Sequence, residues 1–475
     1  MKENNMIFED KINNWDEVTD IVVIGSGFAG LSAAIEAHEA GASVIVLEKM
    51  KASGGNSIIS DGGIAAPGTN LQKKYGINDS TDLMYQDMLK AGLGLNDPDL
   101  VRVLVDQAKG AFEWSIDYLK VEYLDRVDIF GGHTVPRCYT AKNVSGSTII
   151  KKQIEKMNEF NMKVRFKSYS KNLIYSSDER ICGVVVRDDY DYKNPEKGRD
   201  INIKAEKGVI LASGGFGSDV AFRKAQDPRL IEKIDTTNKL FATAEVIKQA
   251  INAGATPVQL SHIQLGPWAS PDEKGYGDGP QFSEYIVFQY GVIVNPVTGC
   301  RFVNELSDRK TLSDKLLSVG HPCIGLADVK AVEKSGWNID RCIKKKVVRK
   351  FDTLEELASF YKIPLEKLEE TLKQFNKSFE KGVDQSFGKP LIENAAPIVN
   401  PPYYGIRLWP KVHFTMGGIR INANAQVIDK EDNIIKGLYA AGEVTGGVHG
   451  ASRLGSCSIT DCLVFGRIAG KNAAK

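Results

Sequence analysis

The sequence predicts an α/β protein: a Rossmann-like, dinucleotide-binding domain accompanied by a second domain or a large insertion. Three observations carry this. A strand, glycine turn, helix and second strand succeed one another from Asp20; two later strand-like runs end in glycine loops at Gly214 and Gly442; and 475 residues exceed what one hydrophobic core usually serves.

Taken in order, the opening MKENNMIFEDKINNWDEVTD has no apolar h-region, and nowhere do 18 apolar residues run together. Export and membrane spanning are not expected, and a cytoplasmic location is. DIVVIGSGFAGLSAAIEAHEAGASVIVLEKM then reads as one βαβ unit. In its turn, Gly25 permits the bend, Gly27 lets a pyrophosphate approach the backbone and Gly30 lets helix pack on strand, with Ser26, Phe28 and Ala29 between them. Glu48 ends the second strand, where an acid accepts from ribose hydroxyls, and Lys49 follows it.

The next stretch, KASGGNSIISDGGIAA, is rich in small residues, as a backbone lying against a large flat cofactor requires. It supplies Gly54, Gly55, Asn56, Ser57, Gly62 and Gly63 as candidate contacts, and it favours FAD over NAD. KGVILASGGFGSD brings Ala212, Ser213 and Gly214, and GLYAAGEVTGG brings Gly442 and Glu443. A final helix is expected from Ser458 to Ala474. Its first turn, with Ser458 and Ile459, offers unpaired N–H groups worth roughly 0.3 to 1 kcal/mol to the anionic edge of a reduced flavin.

Charge adds an exclusion. Lys and Arg number 61 against 60 Asp and Glu, so no net field draws the chain to nucleic acid or an acidic membrane. Seven cysteines without CxxC or CxxCH spacing argue against a disulfide framework, a zinc site or attached haem, and no metal is expected.

IGSGFAGLSAA, GGNSIISDGGIAA, ASGGFG, GCRFVNELSDR, HFTMGGI and AAGEVTGGVHGASRLG together resemble the flavoprotein subunits of fumarate reductases and succinate dehydrogenases, nearest to the soluble fumarate-reductase-like flavoproteins, which include enoate and urocanate reductases. The resemblance covers about residues 19 to 475. It implies a glutathione-reductase-like FAD domain from residues 19–260 and 412–475, an inserted α+β capping domain over 261–411, and residues 1–18 as an N-terminal tail. The charged run TLEELASFYKIPLEKLEETLKQFNKSFEKG within that insertion has Leu and Phe at helical spacing, a packing stripe. Members that bind flavin covalently carry a histidine where this chain has Asn56, so non-covalent FAD is expected. No haem or FMN module of the related respiratory enzymes is recognisable. The expected electron donor is therefore separate: a reduced flavin, a redox protein or an NADH-linked reductase.

By the same resemblance, Arg453 matches the carboxylate-clamping arginine, Arg309 the proton donor, Glu284 the relay glutamate behind it and Ser283 a substrate-contacting threonine. The relay's second arginine falls on Val287. Family fumarate reductases read HHTMGG, the second histidine touching substrate; here His413 is followed by Phe414. His413 is expected to hold backbone or flavin, not substrate. A family histidine in IQ-x-H-P-T is replaced by Gly266, followed by Pro267 and Trp268. Lacking donors for a second carboxylate, the site should bind fumarate poorly, since an unpaired buried charge costs several kcal/mol. Phe414 and Trp268 instead offer apolar, stackable surface. The expected substrate is a monocarboxylate 2-enoate, cinnamate-like or urocanate-like, taking hydride from flavin N5 and a proton from arginine. The rivals are a 3-oxosteroid dehydrogenase or reductase, a fumarate reductase, and a flavin-holding electron-transfer subunit without chemistry.

Overall fold

The computed structural model describes residues 7–392 and 395–475. Strand Glu17–Ile24, helix Phe28–Glu39 and strand Val44–Glu48 form the expected βαβ unit. Gly25 stands at φ +110°, where a Cβ would lie 2.3 Å from the Ala212 carbonyl oxygen, and a Cβ on Gly30 would lie 2.0 Å from the Gly25 oxygen. The turn is thus closed from both sides, and only glycine fits it.

Among the described residues nine strands share one sheet. Its order is Ile7–Phe8, Tyr169–Tyr175, Ile181–Asp188, Arg199–Leu211, Glu17–Ile24, Val44–Glu48, Val164–Phe166, with Ile434–Ala440 and then Gln426–Ile428 joined to Arg199–Leu211. The long strand Arg199–Leu211 changes partner along its length, pairing antiparallel with Ile181–Asp188 at its start and parallel with Ile434–Ala440 at its end. The registers Ile24↔Leu47, Ile24↔Leu211 and Ala440↔Leu211 bring four parallel strands to a common carboxyl edge. Gly25, Glu48, Ala212 and Gly442 therefore meet there, the edge at which open α/β sheets bind ligands. Val22, Val23, Ile210 and Leu211 are fully buried, so this parallel core is covered on both faces. The C-terminal helix, Cys457–Ala473, lies beside Phe28–Glu39 and fixes it through Arg467 and Lys471 to Glu36.

Within the middle of the chain, Val292–Val294, Cys323–Asp328, Tyr403–Leu408 and Val348–Phe351 form a separate antiparallel sheet. Helices pack on it, which makes this part α+β. The charged run folds as two helices, Leu354–Tyr361 and Leu365–Lys381. Pro364 cannot continue the first, and Lys362 turns left-handed at φ 58° before it. The expected stripe is inside: Leu357, Leu368, Leu372 and Phe375 are buried.

Two antiparallel ribbons join the segments on either side of the insertion: Ile263–Gly266 with Lys411–Thr415, and Pro257–Val258 with Gly418–Ile419. The first sets Gln264 opposite Phe414. Of the stretch expected as a tail, residues 1–6 lie outside the described part. From Ile7 on it joins the sheet: Ile7–Phe8 pairs with Tyr169–Tyr175, and Ile7, Ile12 and Trp15 pack on Ile174, Cys182 and Val185. Apolar residues alternating among charged ones had hidden that packing. No helix among the described residues is long and apolar enough to cross a membrane.

Candidate active site

A long groove follows the carboxyl edge of the parallel sheet. The turn residues Gly25, Ser26, Gly27, Phe28 and Ala29 line it at one side; Glu48, Lys49, Gly54, Gly55, Asn56 and Ser57 continue the wall, and Ala212, Ser213, Gly214 and Glu443 close it. Glu48 is held for its task. Its Oε2 accepts from the Ser26 hydroxyl at 2.6 Å and its Oε1 from the Met50 N–H at 2.9 Å, so the carboxylate cannot swing away from the edge. Asn56 is equally fixed, its Nδ2 donating to Asn238 Oδ1 at 2.5 Å and its Oδ1 accepting from the Lys239 N–H at 2.8 Å. An amide so engaged offers no nucleophile for a covalent flavin bond.

Gly30, Gly62 and Gly442 do not line the groove. Gly442 instead lets Ala29 and Cys462 approach, as a Cβ there would sit 2.9 Å from the Ala29 methyl. Their role is to shape the walls.

A second cavity adjoins the first and shares Phe28, Asn56, Ser57, Glu443 and Cys462 with it. Gly63, Ser458 and Ile459 line this second cavity, at the first turn of Cys457–Ala473. Ser456 precedes that helix at φ 62° and makes no side-chain cap; the Cys457 N–H donates to the Leu454 carbonyl at 3.3 Å, and the N–H groups of Ser458 and Ile459 are the ones placed to face an anion. Burial raises the Glu443 carboxyl to about 7, against the Thr415 N–H that donates to its Oε1 at 2.9 Å.

Arg309 and Arg453 converge on this cavity although 144 positions separate them (453 less 309). Arg309 opens helix Arg309–Val319, whose cap Asp308 accepts from the Lys310 and Thr311 N–H groups. Its Nη2 donates to Glu284 Oε1 at 2.6 Å, and its Nη1 is buried without a partner among the described residues. Burial works to discharge Arg309 and Glu284 overcomes it, so the guanidinium stays protonated. Glu284 sits in a π-helical turn, Ser283–Val287, a distortion frequent at functional sites. Burial pushes its carboxyl up despite Arg309, and the nearby negative charge of Asp61 adds to the rise.

Arg453 has a different environment. Its Nη1 donates to the Leu454 carbonyl at 2.8 Å, its Nη2 to His413 Nε2 at 3.1 Å, and its Nε has no partner among the described residues. Its guanidinium lies 4.8 Å from the centre of the Phe414 ring. Burial, then the like charge of Arg309, pulls it down to about 9, so it is a cation at neutral pH. A buried cation with no carboxylate partner is held at a cost that an incoming carboxylate would relieve.

Three residues have surroundings other than those expected. His413 stands in the second cavity, and what it holds is Arg453. Burial, Arg453 and Arg309 drive its imidazole well below the usual histidine range. The ring is therefore neutral, Nε2 accepts from Arg453, and Nδ1–H donates to the Thr237 hydroxyl at 2.8 Å. Ser283 is not on the cavity wall; its hydroxyl donates to the carbonyls of Trp268 at 2.6 Å and Gly279 at 3.0 Å. Gly266 is not on the wall either. A Cβ there would meet the Trp268 indole at 2.9 Å, so the indole fills the space that a side chain at 266 would need.

Trp268 itself lines the cavity, wedged between His413 at 4.8 Å and Tyr276 at 5.2 Å. Phe414 packs between Arg453 and His449, whose ring centre is 5.6 Å away. Tyr276 and Asp61 also line the cavity and were not anticipated. Asp61 stood inside the quoted glycine stretch. Tyr276, in the loop EKGYGDG, carried no local signal.

A sheet edge that clasps a flat dinucleotide, joined to a cavity holding two arginines, defines a flavin-dependent oxidoreductase. The chain matches the FAD-binding domain family over residues 20–459 and belongs to it. It is 39% identical to an acrylate reductase flavoprotein subunit of Shewanella woodyi, covering 96% of this chain and 91% of that one. It is 35% identical to a urocanate reductase of Eggerthella lenta, covering 96% of this chain and 74% of the relative. Among solved structures, the open conformation of a flavocytochrome c3 fumarate reductase superimposes with a TM-score of 0.75 at 32% identity, over 97% of this chain and 79% of that one. The protein is thus an FAD-dependent oxidoreductase of the fumarate-reductase-like flavoproteins.

Proposed function

We propose that this protein reduces the C=C bond of a short 2-enoate monocarboxylate. The observation that carries the reading is Arg453: a buried cation without a carboxylate partner among the described residues, beside an Arg309–Glu284 pair in one cavity. Arg453 pairs with the substrate carboxylate, and neutral His413 holds the guanidinium at its angle. Gly25 to Ala29, Glu48 and Ala212 to Gly214 would hold FAD non-covalently along the groove, and the flavin would supply hydride chemistry toward the β-carbon. Arg309 then faces the carbanionic α-carbon, stabilises its charge and passes it a proton, with Glu284 behind to refill the guanidinium. A guanidinium is normally never deprotonated. An incipient carbanion is a far stronger base, which makes the transfer feasible.

The far end of the substrate meets aromatic walls. Both Trp268 and Phe414 already pack against protein groups, His413 and Tyr276 for one, Arg453 and His449 for the other. This supports a small acyl end over the ring-bearing acid that two aromatic residues suggested in sequence, and it agrees with the likeness to an acrylate reductase. Anaerobic reduction of the flavoprotein with dithionite, followed separately by acrylate, methacrylate, cinnamate, urocanate, fumarate or a 3-oxosteroid, tests the reading. Acrylate or methacrylate should restore flavin absorbance fastest. Fumarate winning would overturn the single-carboxylate site, and cinnamate or urocanate winning would overturn the short end.

The indole over Gly266 also sets a rule for redesign. Gly266→His alone is expected to displace Trp268 and cost about 1–3 kcal/mol of stability by overpacking, read from denaturant unfolding. Joined to Trp268→Thr and Phe414→His, it should move kcat/KM toward fumarate by about tenfold or more, one hydrogen-bonded charge pair being worth at least that. No movement would place selectivity elsewhere in the cap.

A further inference from the structure

Glu284 can refill Arg309 only if Glu284 is itself refilled, and it is enclosed. The charged and titratable groups facing it are Arg309, Arg453, Tyr276 and Asp61, all on the wall of the same cavity. Arg309 is the group to be recharged, and Arg453 holds the substrate carboxylate. Val287, at the end of the same π-helical turn, is buried and aliphatic. Asp61 is placed differently. Its Oδ1 accepts from the Gly63 N–H at 2.9 Å, which fixes the side chain, and its Oδ2 accepts from the Tyr285 hydroxyl at 2.7 Å.

Tyr285 follows Glu284 in the chain, so its backbone carries the glutamate while its hydroxyl carries the aspartate. Outward, the Tyr285 ring packs 5.3 Å from Phe130 and 4.4 Å from Trp337, and it lies in the field of Asp128. Asp128 pairs with Arg126, whose side chain is 31% exposed, through one oxygen; the other oxygen is buried without a partner among the described residues. The Asp61–Tyr285 hydrogen bond thus stands at the cavity wall, with the Arg126–Asp128 ion pair near enough for the Asp128 charge to act on Tyr285.

We propose that Asp61, bonded to Tyr285, returns a proton to Glu284 and through it to Arg309 after each turnover. The proposal rests on Arg309 being the donor. The α-carbon takes a proton from Arg309, the Glu284 acid gives one to Arg309, and Asp61 gives one to Glu284. Asp61, only partly buried and held by the Tyr285 hydroxyl, takes its replacement from water, so no charge accumulates and no electron moves. Burial raises the Glu284 carboxyl, so a proton moves toward it more readily than onto an exposed acid.

Asp61→Asn keeps an acceptor for Gly63 and removes the transferable proton. It should leave FAD content and substrate affinity within about twofold, and lower steady-state kcat by about tenfold or more, with a larger solvent deuterium isotope effect. The first turnover of pre-reduced enzyme should keep its rate, because Arg309 begins protonated. Tyr285→Phe should act in the same sense and carries the test alone if Asp61→Asn does not fold. Wild-type kcat and isotope effect in these variants, or a first turnover that falls as far as kcat, would remove Asp61 from proton supply. Turnover surviving in Arg309→Ala sinks the donor assignment itself; an inactive Arg309→Ala beside an unimpaired Asp61→Asn sinks the relay alone.

Discussion

Replacing Arg309 by alanine is expected to lower turnover by about 10²–10⁴-fold, the usual contribution of a positioned acid, while the protein remains yellow. The groove that holds the cofactor draws on other segments, Gly25 to Ala29, Glu48 to Ser57 and Ala212 to Gly214, so FAD retention and loss of chemistry should separate. The substitution has a side effect with its own remedy. Glu284 would be left buried without its cation, and stranding one partner of such a pair costs about 3–5 kcal/mol. Adding Glu284→Gln should restore much of that stability without restoring turnover. Stability from denaturant unfolding, FAD content from absorbance and kcat from substrate-dependent flavin reoxidation give the three readings. Near-normal turnover in Arg309→Ala would take this residue out of the mechanism.

Arg453→Met should behave in the opposite way toward stability. Without substrate, Arg453 is a buried cation lacking a carboxylate partner among the described residues, so an unbranched apolar side chain removes a desolvation cost and the free protein should lose little or no stability. Acid binding should weaken by about 2–5 kcal/mol, roughly thirtyfold to several thousandfold in dissociation constant. Equilibrium titration of the oxidised flavoprotein with a non-reducible short carboxylate measures this directly. Affinity within about twofold of wild type would mean that the carboxylate is held elsewhere. His413→Ala, which frees the guanidinium from its 3.1 Å partner, is a milder form of the same experiment.

How much could be read in advance depended on the range of the physics involved. GSGFAG could be assigned because its pattern is local: a few residues must turn, approach a phosphate and start a helix, although the Ala212 carbonyl that leaves no room for a Cβ on Gly25 comes from a distant segment. Glu48 followed from the length of one strand. Arg309, Glu284 and Arg453 were legible through resemblance, but the partner of Arg453 was not. His413 was expected against flavin, yet it reaches Arg453, because the direction of a side chain on strand Lys411–Thr415 is decided by the bulged pairing with Ile263–Gly266.

The chain alone determined the cofactor class, written in contiguous glycine-rich turns at strand ends, while the interrupted α/β architecture and the two guanidinium groups were implied by its family resemblance. Folding in three dimensions decided the rest. It brought Asp61 beside Tyr285 across 224 positions, laid an indole over Gly266 and left one arginine without a counter-charge. Such arrangements depend on how the cap seats against the FAD domain, and packing between distant segments leaves no periodic trace along a polymer.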